Sequence, residues 1–563
     1  MLRAFSLTIQ RLGGVAVVGF LLANVVVLAI LRVSVLDQVI LLSEIAGLAL
    51  AGSLIVGGLT KRSWLAPLSD RLTYWVVSFL VGTLVFVSVV FALLHRPVFQ
   101  ALGLSNPQVA VRVATVLLIP SALCGLVLRP RAPNGSAGER SGLLFAVVLA
   151  TLLSATTNYG FRNNSDDFTI RDRLQRGASS STIPNWGPQG DKSVHLIVTT
   201  EPMIQSGLPS GIQAHRGVQA LMIGLSAPIR GGFPENIIKT SKVVELVFHL
   251  SFLYLFLVLC REVFNMDRKA TVLVLAGAAF FAPINFPFNS VETSSYAGLF
   301  NASGTLYHNL PQLFSLTFAL GGIVLIGRSI RAGHSGFAIG CALIAGSFVF
   351  KPALYTVLAP SACLLLMFLR DPFSRDRLAG YIVLSIPVAI WSGYRMVFHT
   401  ETRTLNPIIR PFALFMKRGG LRFPEWVMQH TWVFGAIVLG LSFAAFLPAL
   451  LSDLTSFIRK IRGSGAPGVR AWIQSHWLES FLMLSLVFGV LQRILLLENN
   501  SQMYSGNFGW AGAAMVLLSL PILVLRLTRS PSALVRTSGL ALYALQLGYG
   551  VQHLIMVTYF AWY

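Results

Sequence analysis

The residues best suited to chemistry lie in polar intervals between long apolar runs. The longest interval, 158–240, opens with Asn163, Asn164, Ser165, Asp166 and Asp167. A carboxylate placed there can take the proton of an attacking hydroxyl, which makes Asp166 or Asp167 a candidate general base. The same residues also fit a plain surface helix, capped by Ser165 or Asp166, with Asp167–Arg171 and Asp172–Arg176 as i,i+4 pairs. The interval 283–312 offers Glu292, Tyr296, Tyr307, His308 and Asn309. Rings and hydrogen-bonding groups together suit a sugar, and an interfacial aromatic belt uses the same residue types. The interval 398–428 carries Arg403, Arg410, Lys417, Arg418 and Arg422. The planar guanidinium fork matches phosphate oxygens, and anionic headgroups attract the same cations. Lys351 stands between two apolar runs, next to Pro352; it can hold a phosphate or snorkel to headgroups. Glu498, Asn499, Asn500, Tyr504 and Asn507, in the last polar interval, can line the side of an acceptor.

The elements that must position these groups are apolar helices. Of 563 residues, 55% are hydrophobic and 11% charged, with mean hydropathy +0.71. A soluble domain carries roughly 25% charged residues, so the composition describes an all-α polytopic membrane protein. The formal net charge of +22 does not point to nucleic acid, because the Lys and Arg fall in short connections between apolar runs. The four cysteines lie inside apolar runs and read as small packing residues. Crossing about 30 Å of hydrocarbon takes about 20 residues, which predicts about 15 spans. They fall at 12–31, 36–59, 73–94, 108–128, 141–157, 241–260, 270–284, 310–327, 335–350, 353–369, 379–397, 429–451, 478–497, 508–526 and 537–559. The first reads as a retained span and not a cleaved signal peptide.

Basic residues orient the spans. With the N-terminus in the cytoplasm, the inward connections carry Lys61, Arg62 and Arg71; Arg129, Arg131 and Arg140; Arg261, Arg268 and Lys269; Arg328 and Arg331; Arg370, Arg375 and Arg377; Arg459, Lys460, Arg462 and Arg470; and Arg526, Arg529 and Arg536. Each is basic, as inward loops are. The intervals 158–240, 285–309, 398–428 and 498–507, the Lys351–Pro352 corner and the C-terminus then face outward. Within 158–240, the stretch 212–230 sets Val218, Leu221, Met222 and Leu225 at helical spacing, which predicts a helix lying in the outer interface. A packing helix of a small outer domain is the alternative.

The stretch Asp166 to Gly177, DDFTIRDRLQRG, resembles the Asp-Asp–aromatic–x–Ile–x–x–Arg pattern that follows an early span in some GT-C glycosyltransferases. The layout 141–157, then 158–240, then spans with small outer loops, is similar to that family's core. Four spans precede it, and no Trp-Trp-Asp-type signature is present, unlike in oligosaccharyltransferases. The resemblance implies N-terminal helices over 1–140, a catalytic core over 141–430 with interfacial helices in the large outer loop, and C-terminal helices over 431–563. It implies a sugar donor on a polyprenyl phosphate, used on the outer face of a bacterial inner (plasma) membrane. Asp166 or Asp167 would deprotonate a hydroxyl of a glycan, lipid or protein acceptor, with inversion at the sugar. Glu292, Tyr307, His308, Asn309, Glu498 and Asn507 would bind substrate, and Lys351, Arg403 and Arg410 the departing phosphate. No metal cluster is evident, though the diacid can hold Mg²⁺ or Mn²⁺ weakly. Two other readings use the same loops. One is a polymerase or ligase of polyprenyl-pyrophosphate-linked glycans. The other is a flippase or transporter of lipid-linked sugars, disfavoured by spans nearly free of charge apart from Glu44, Arg112, Glu245 and Arg493 near their ends.

Overall fold

The computed structural model describes residues 22–65, 68, 71–95, 100–101, 111–112, 140–163, 196, 199–207, 216–284, 306, 310–332, 335–369, 371–398, 407–409, 426, 429–498 and 506–555. They form helices and one short ladder. In chain order the helices are α1 (Val35–Lys61), α2 (Arg71–Leu94), α3 (Arg140–Asn163), α4 (Thr200–Ser206), α5 (Gly217–Ser226), α6 (Glu235–Val258), α7 (Arg268–Phe280), α8 (Leu310–Ala332), α9 (Phe337–Phe350), α10 (Pro352–Leu364) and α11 (Arg375–Phe398). After β1 (Pro407–Ile409) come α12 (Thr431–Ser442), α13 (Leu447–Ser475) and α14 (Trp477–Leu495); after β2 (Leu496–Glu498) come α15 (Gly506–Thr528) and α16 (Ala533–Ile555). Residues 22–30 are also helical.

Among the described residues, six helices are long and apolar enough to cross a membrane, and four shorter apolar helices accompany them. Their outward faces are apolar too. Val35, Val39 and Leu42 on α1 and Ile382, Ile386 and Ile390 on α11 are exposed. Such stripes face lipid in a helical membrane protein, where helices gain nothing from hiding Leu from hydrocarbon. Association rests instead on close backbone approach at small residues. Gly52 of α1 and Gly82 of α2 meet this way, since a Cβ on either would run into the other helix's backbone. Gly322 of α8 and Gly340 of α9 form a second such pair; a Cβ on Gly340 would lie 2.7 Å from the Gly322 carbonyl oxygen.

The bundle has two chemically different ends. At one, the Asp376 carboxylate accepts the N–H groups of Gly336, Phe337 and Ala338 at 2.9–3.0 Å, capping α9 from the start of α11. These are orphan donors of a helix N-terminus, where an anion is favoured. The Arg331 guanidinium donates to the carbonyls of Glu262 and Val263 at 2.8 and 2.7 Å, and Arg375 lies 4.6 Å from the Trp64 ring centroid. Arg526 pairs with Glu479 at 2.6 Å. Thus Trp64, Glu262, Val263, Asn265, Arg331, Gly336, Arg375, Asp376 and Arg529 gather at one end. At the other end, β1 and β2 pair antiparallel, with Pro407 opposite Glu498 and Ile409 opposite Leu496.

Two expectations change. The stretch 212–230 does not give an amphipathic helix on an interface: every residue of α5 is buried. Gly217 abuts Val349 and Phe350 at the end of α9, and Gly224 abuts Phe86 and Val90 of α2. Glycine at both contacts lets a ten-residue helix wedge between two neighbours, so packing overrides the one-sided pattern. The span 429–451 is also not one helix. It breaks at Phe443–Phe446, and α13 then runs unbroken through 459–470, which the sequence assigns to a loop. Leu447, Leu451 and Ile458 remain exposed on α13. An apolar stripe followed by Arg459, Lys460, Arg462 and Arg470 is the pattern of a helix lying along a membrane surface.

Candidate functional site

Lys351 sits in the one-residue corner between α9 and α10. Proline cannot donate an amide and forces the preceding residue to extend, so α9 must end before Pro352, which then opens α10. Lys351 is accordingly extended (φ −156°, ψ 121°). The corner's backbone is satisfied: the Lys351 amide donates to the Ser347 carbonyl at 3.0 Å, and its carbonyl accepts the Ser315 hydroxyl at 3.1 Å. The side chain does not snorkel to headgroups. It is 2% exposed, with its ammonium 5.2 Å from the ring centroid of Trp510 at the start of α15. A cation costs several kcal/mol to bury, so such lysines mark places where charge is needed.

Side chains from other helices close this corner. Gln492 of α14 donates from Nε2 to the carbonyl and hydroxyl of Thr356 on α10, both at 3.2 Å, and Arg493 beside it is buried. Two residues after Ile494, α14 passes into β2, whose pairing with β1 brings Pro407–Ile409 to the same end as Lys351.

A second buried polar set lies on α6. Lys242, Glu245 and His249 follow at i, i+3 and i+7, which places them on one face. The Lys242 ammonium donates to the Leu31 carbonyl at 2.8 Å, and the Glu245 carboxylate accepts the Thr157 hydroxyl of α3 at 3.0 Å. His249 Nε2 lies 3.0 Å from the Leu306 carbonyl, and Gln219 of α5 donates to the Thr199 hydroxyl at 3.0 Å. An aromatic seam links this set to Lys351. Phe248 stacks on Phe314 at 3.8 Å, Phe314 meets Phe350 edge-on at 5.7 Å, and Phe318 stacks on Phe350 at 4.8 Å. Each ring neighbours a polar residue in sequence: Phe248 and His249, Phe314 and Ser315, Phe350 and Lys351. The seam therefore fixes how α6, α8 and α9 turn their polar groups.

Comparison with protein-family models, curated proteins and solved structures gives no match.

Asp166, Asp167, Glu292, Tyr307, His308, Asn309, Arg403 and Arg410 lie outside the described residues. Glu498 ends β2 and Asn507 is the second residue of α15, so both backbones belong to the end that carries Lys351. Leu306, next to Tyr307 in sequence, is buried, with its carbonyl against His249 of α6. No group of three or more His, Cys, Asp or Glu with metal-ligand geometry occurs among the described residues. Sequence reasoning passed over Lys242, His249, Gln219 and Trp510. The first two were legible as a heptad-spaced polar pair inside an apolar run; Trp510 carries no local signal, because its partner lies on another helix.

Proposed function

We propose that the chain is a membrane glycosyltransferase that takes a sugar from a polyprenyl phosphate and transfers it, with inversion, to a glycan, lipid or protein hydroxyl. The observation that supports this reading is the buried Lys351, held over Trp510 at the bundle end where β1 and β2 pair. A buried ammonium beside a broken helix suits an anion arriving from the membrane. In this reading about 15 spans, some among residues not described, cross a bacterial inner membrane. The N-terminus is cytoplasmic, the C-terminus and the Lys351 end lie outside, and 141–430 form the catalytic core.

The step is a substitution at the anomeric carbon. The acceptor oxygen forms the new bond, the bond from the anomeric carbon to the phosphate oxygen breaks, and the polyprenyl phosphate leaves with the electron pair. The hydroxyl proton passes to Asp166 or Asp167. Lys351, with Arg403 and Arg410, meets the charge on the leaving phosphate. Glu292, Tyr307, His308, Asn309, Glu498 and Asn507 hold the sugars, and a divalent cation on the diacid is compatible with the step. The test is transfer of labelled sugar from polyprenyl-phosphate donors in vesicles by wild type and Lys351→Met, alongside binding of undecaprenyl phosphate. Loss of both in the variant is expected; unchanged transfer and binding would remove Lys351 from the site.

A second reading has its own support. Lys242, Glu245 and His249 are buried inside a candidate span, whereas the sequence suggested spans nearly free of charge. Buried ionisable groups on one face suit a flippase or transporter of lipid-linked sugars. It predicts translocation of the lipid-linked sugar across the vesicle with no transferred product. A polymerase or ligase acting on polyprenyl-pyrophosphate glycans keeps Lys351 and the arginines but leaves Asp166 and Asp167 without a chemical role.

A further inference from the structure

A groove of about 350 Å³ runs between α3, α6 and α7 at the end opposite Lys351. Its volume lies in the range of ligand sites. Val148 and Leu257 line it from α3 and α6, and Leu275 and Thr271 from α7. Arg261 and Arg268 stand at its mouth. Their positions follow from local structure. Arg268 opens α7, so Thr271 and Leu275 succeed it at i+3 and i+7 along one face. Arg261 lies four residues after Leu257, inside a single π-helical turn, Leu259–Val263, of the kind often found at functional sites. From Arg268 to Leu275 the floor descends about 10 Å at 1.5 Å per residue, most of one leaflet's hydrocarbon.

Two carboxylates flank these arginines in sequence. Asp267 accepts the Ala270 amide at 2.7 Å, and Glu262 faces Arg328 at 3.6 Å. By its lining the groove joins apolar side chains of three helices to two arginines at the bundle end, and Val272 among them is exposed on the bundle's side. A soluble anion would use the mouth and leave the floor empty, and a neutral lipid would use only the floor.

We propose that this groove binds an anionic phospholipid, with an acyl chain on Val148, Leu257 and Leu275 and the phosphodiester between Arg261 and Arg268. The site is separate from the proposed donor site, since α9 spans from the capped end at Gly336 to Lys351, about 20 Å at 1.5 Å per residue. Its test needs neither sugar nor acceptor.

The experiment is native mass spectrometry of the purified full chain, titrated with dioleoyl phosphatidylglycerol or dioleoyl phosphatidylcholine. Wild type is expected to prefer the anionic lipid. Each arginine near an anionic headgroup contributes about a fivefold change in binding, so Arg261→Gln/Arg268→Gln should lose about 25-fold for phosphatidylglycerol and most of the preference. Arg268→Gln alone, at an exposed helix start, tests charge without disturbing packing and should lose about fivefold. Val148→Trp fills the floor and should weaken both lipids. Equal binding of the two lipids by wild type, an unchanged preference in the arginine variants, or displacement of phosphatidylglycerol by millimolar inorganic phosphate would overturn the proposal.

Discussion

Replacing Lys351 by methionine separates a phosphate-binding lysine from a packing one. Methionine keeps the length and apolar stem and removes the charge. Losing the cation over Trp510 at 5.2 Å forfeits roughly 2 kcal/mol for a desolvated contact. Removing a buried ammonium recovers a desolvation cost of several kcal/mol. The two oppose each other, so the melting temperature of Lys351→Met in detergent should equal or exceed that of wild type. Binding should respond differently. A hydrogen bond to a charged group contributes about 1.5–3 kcal/mol, which at 1.4 kcal/mol per decade is about 10- to 150-fold in affinity. The assay titrates undecaprenyl phosphate into protein held in nanodiscs and reads the dissociation constant. Lys351→Arg keeps the charge and Trp510→Phe keeps a ring, so both should retain most of the affinity. A Lys351→Met protein that stays folded and binds within twofold of wild type would refute the phosphate role and leave the lysine a packing residue.

Three further outcomes are expected. Asp166→Asn or Asp167→Asn keeps shape but not basicity, so sugar transfer in membranes should fall about 100-fold in one of them; normal transfer by both singles and the double variant would favour the polymerase or ligase reading. In a cysteine-free background, cysteines at Ser180 and Ser374 should react with an impermeant reagent from opposite sides of the membrane, and same-side labelling would undo the topology. Gly340→Val would press a branched side chain on the Gly322 carbonyl, 2.7 Å from even a Cβ. A loss of about 1–3 kcal/mol is expected, read as a lower melting temperature; an unchanged one would show that α8 and α9 can separate freely.

The long elements were legible because hydrophobicity alone defines a span. The expected 36–59 and 73–94 became Val35–Lys61 and Arg71–Leu94, and the break at Lys351 followed from Pro352. Asp376, Arg331 and Arg375 tie three of the basic segments to one another at one end of the bundle. What failed depended on neighbours far along the chain. α5 shows one-sided spacing but is enclosed because Gly217 and Gly224 admit Phe350 and Phe86, and glycine reads locally as a weak helix former. α13 continues through Gly463, Ser464, Gly465 and Pro467, residues that normally mark a loop. Of the candidate site, Lys351 was read from the sequence, while Lys242 and His249 showed only as a heptad-spaced polar pair. Burial of Lys242 and His249 needs Leu31 and Leu306, brought from other segments, and no local pattern announces such a partner.

The corner at Lys351 also sets a timetable for biogenesis. Its walls are supplied late: Gln492 follows Thr356 by 136 residues, and Trp510 comes later still. At about 5–20 residues per second, roughly 7–27 s of synthesis separate the emergence of Thr356 from that of its partner. During that interval a half-made chain holds a lysine that cannot yet rest on its ring. Water, lipid headgroups or the insertion machinery must shelter the ammonium until α14 and α15 arrive. A ribosome stalled between 352 and 492 would therefore leave the α9–α10 pair poorly seated, and that nascent intermediate is the one a membrane quality-control protease would meet first.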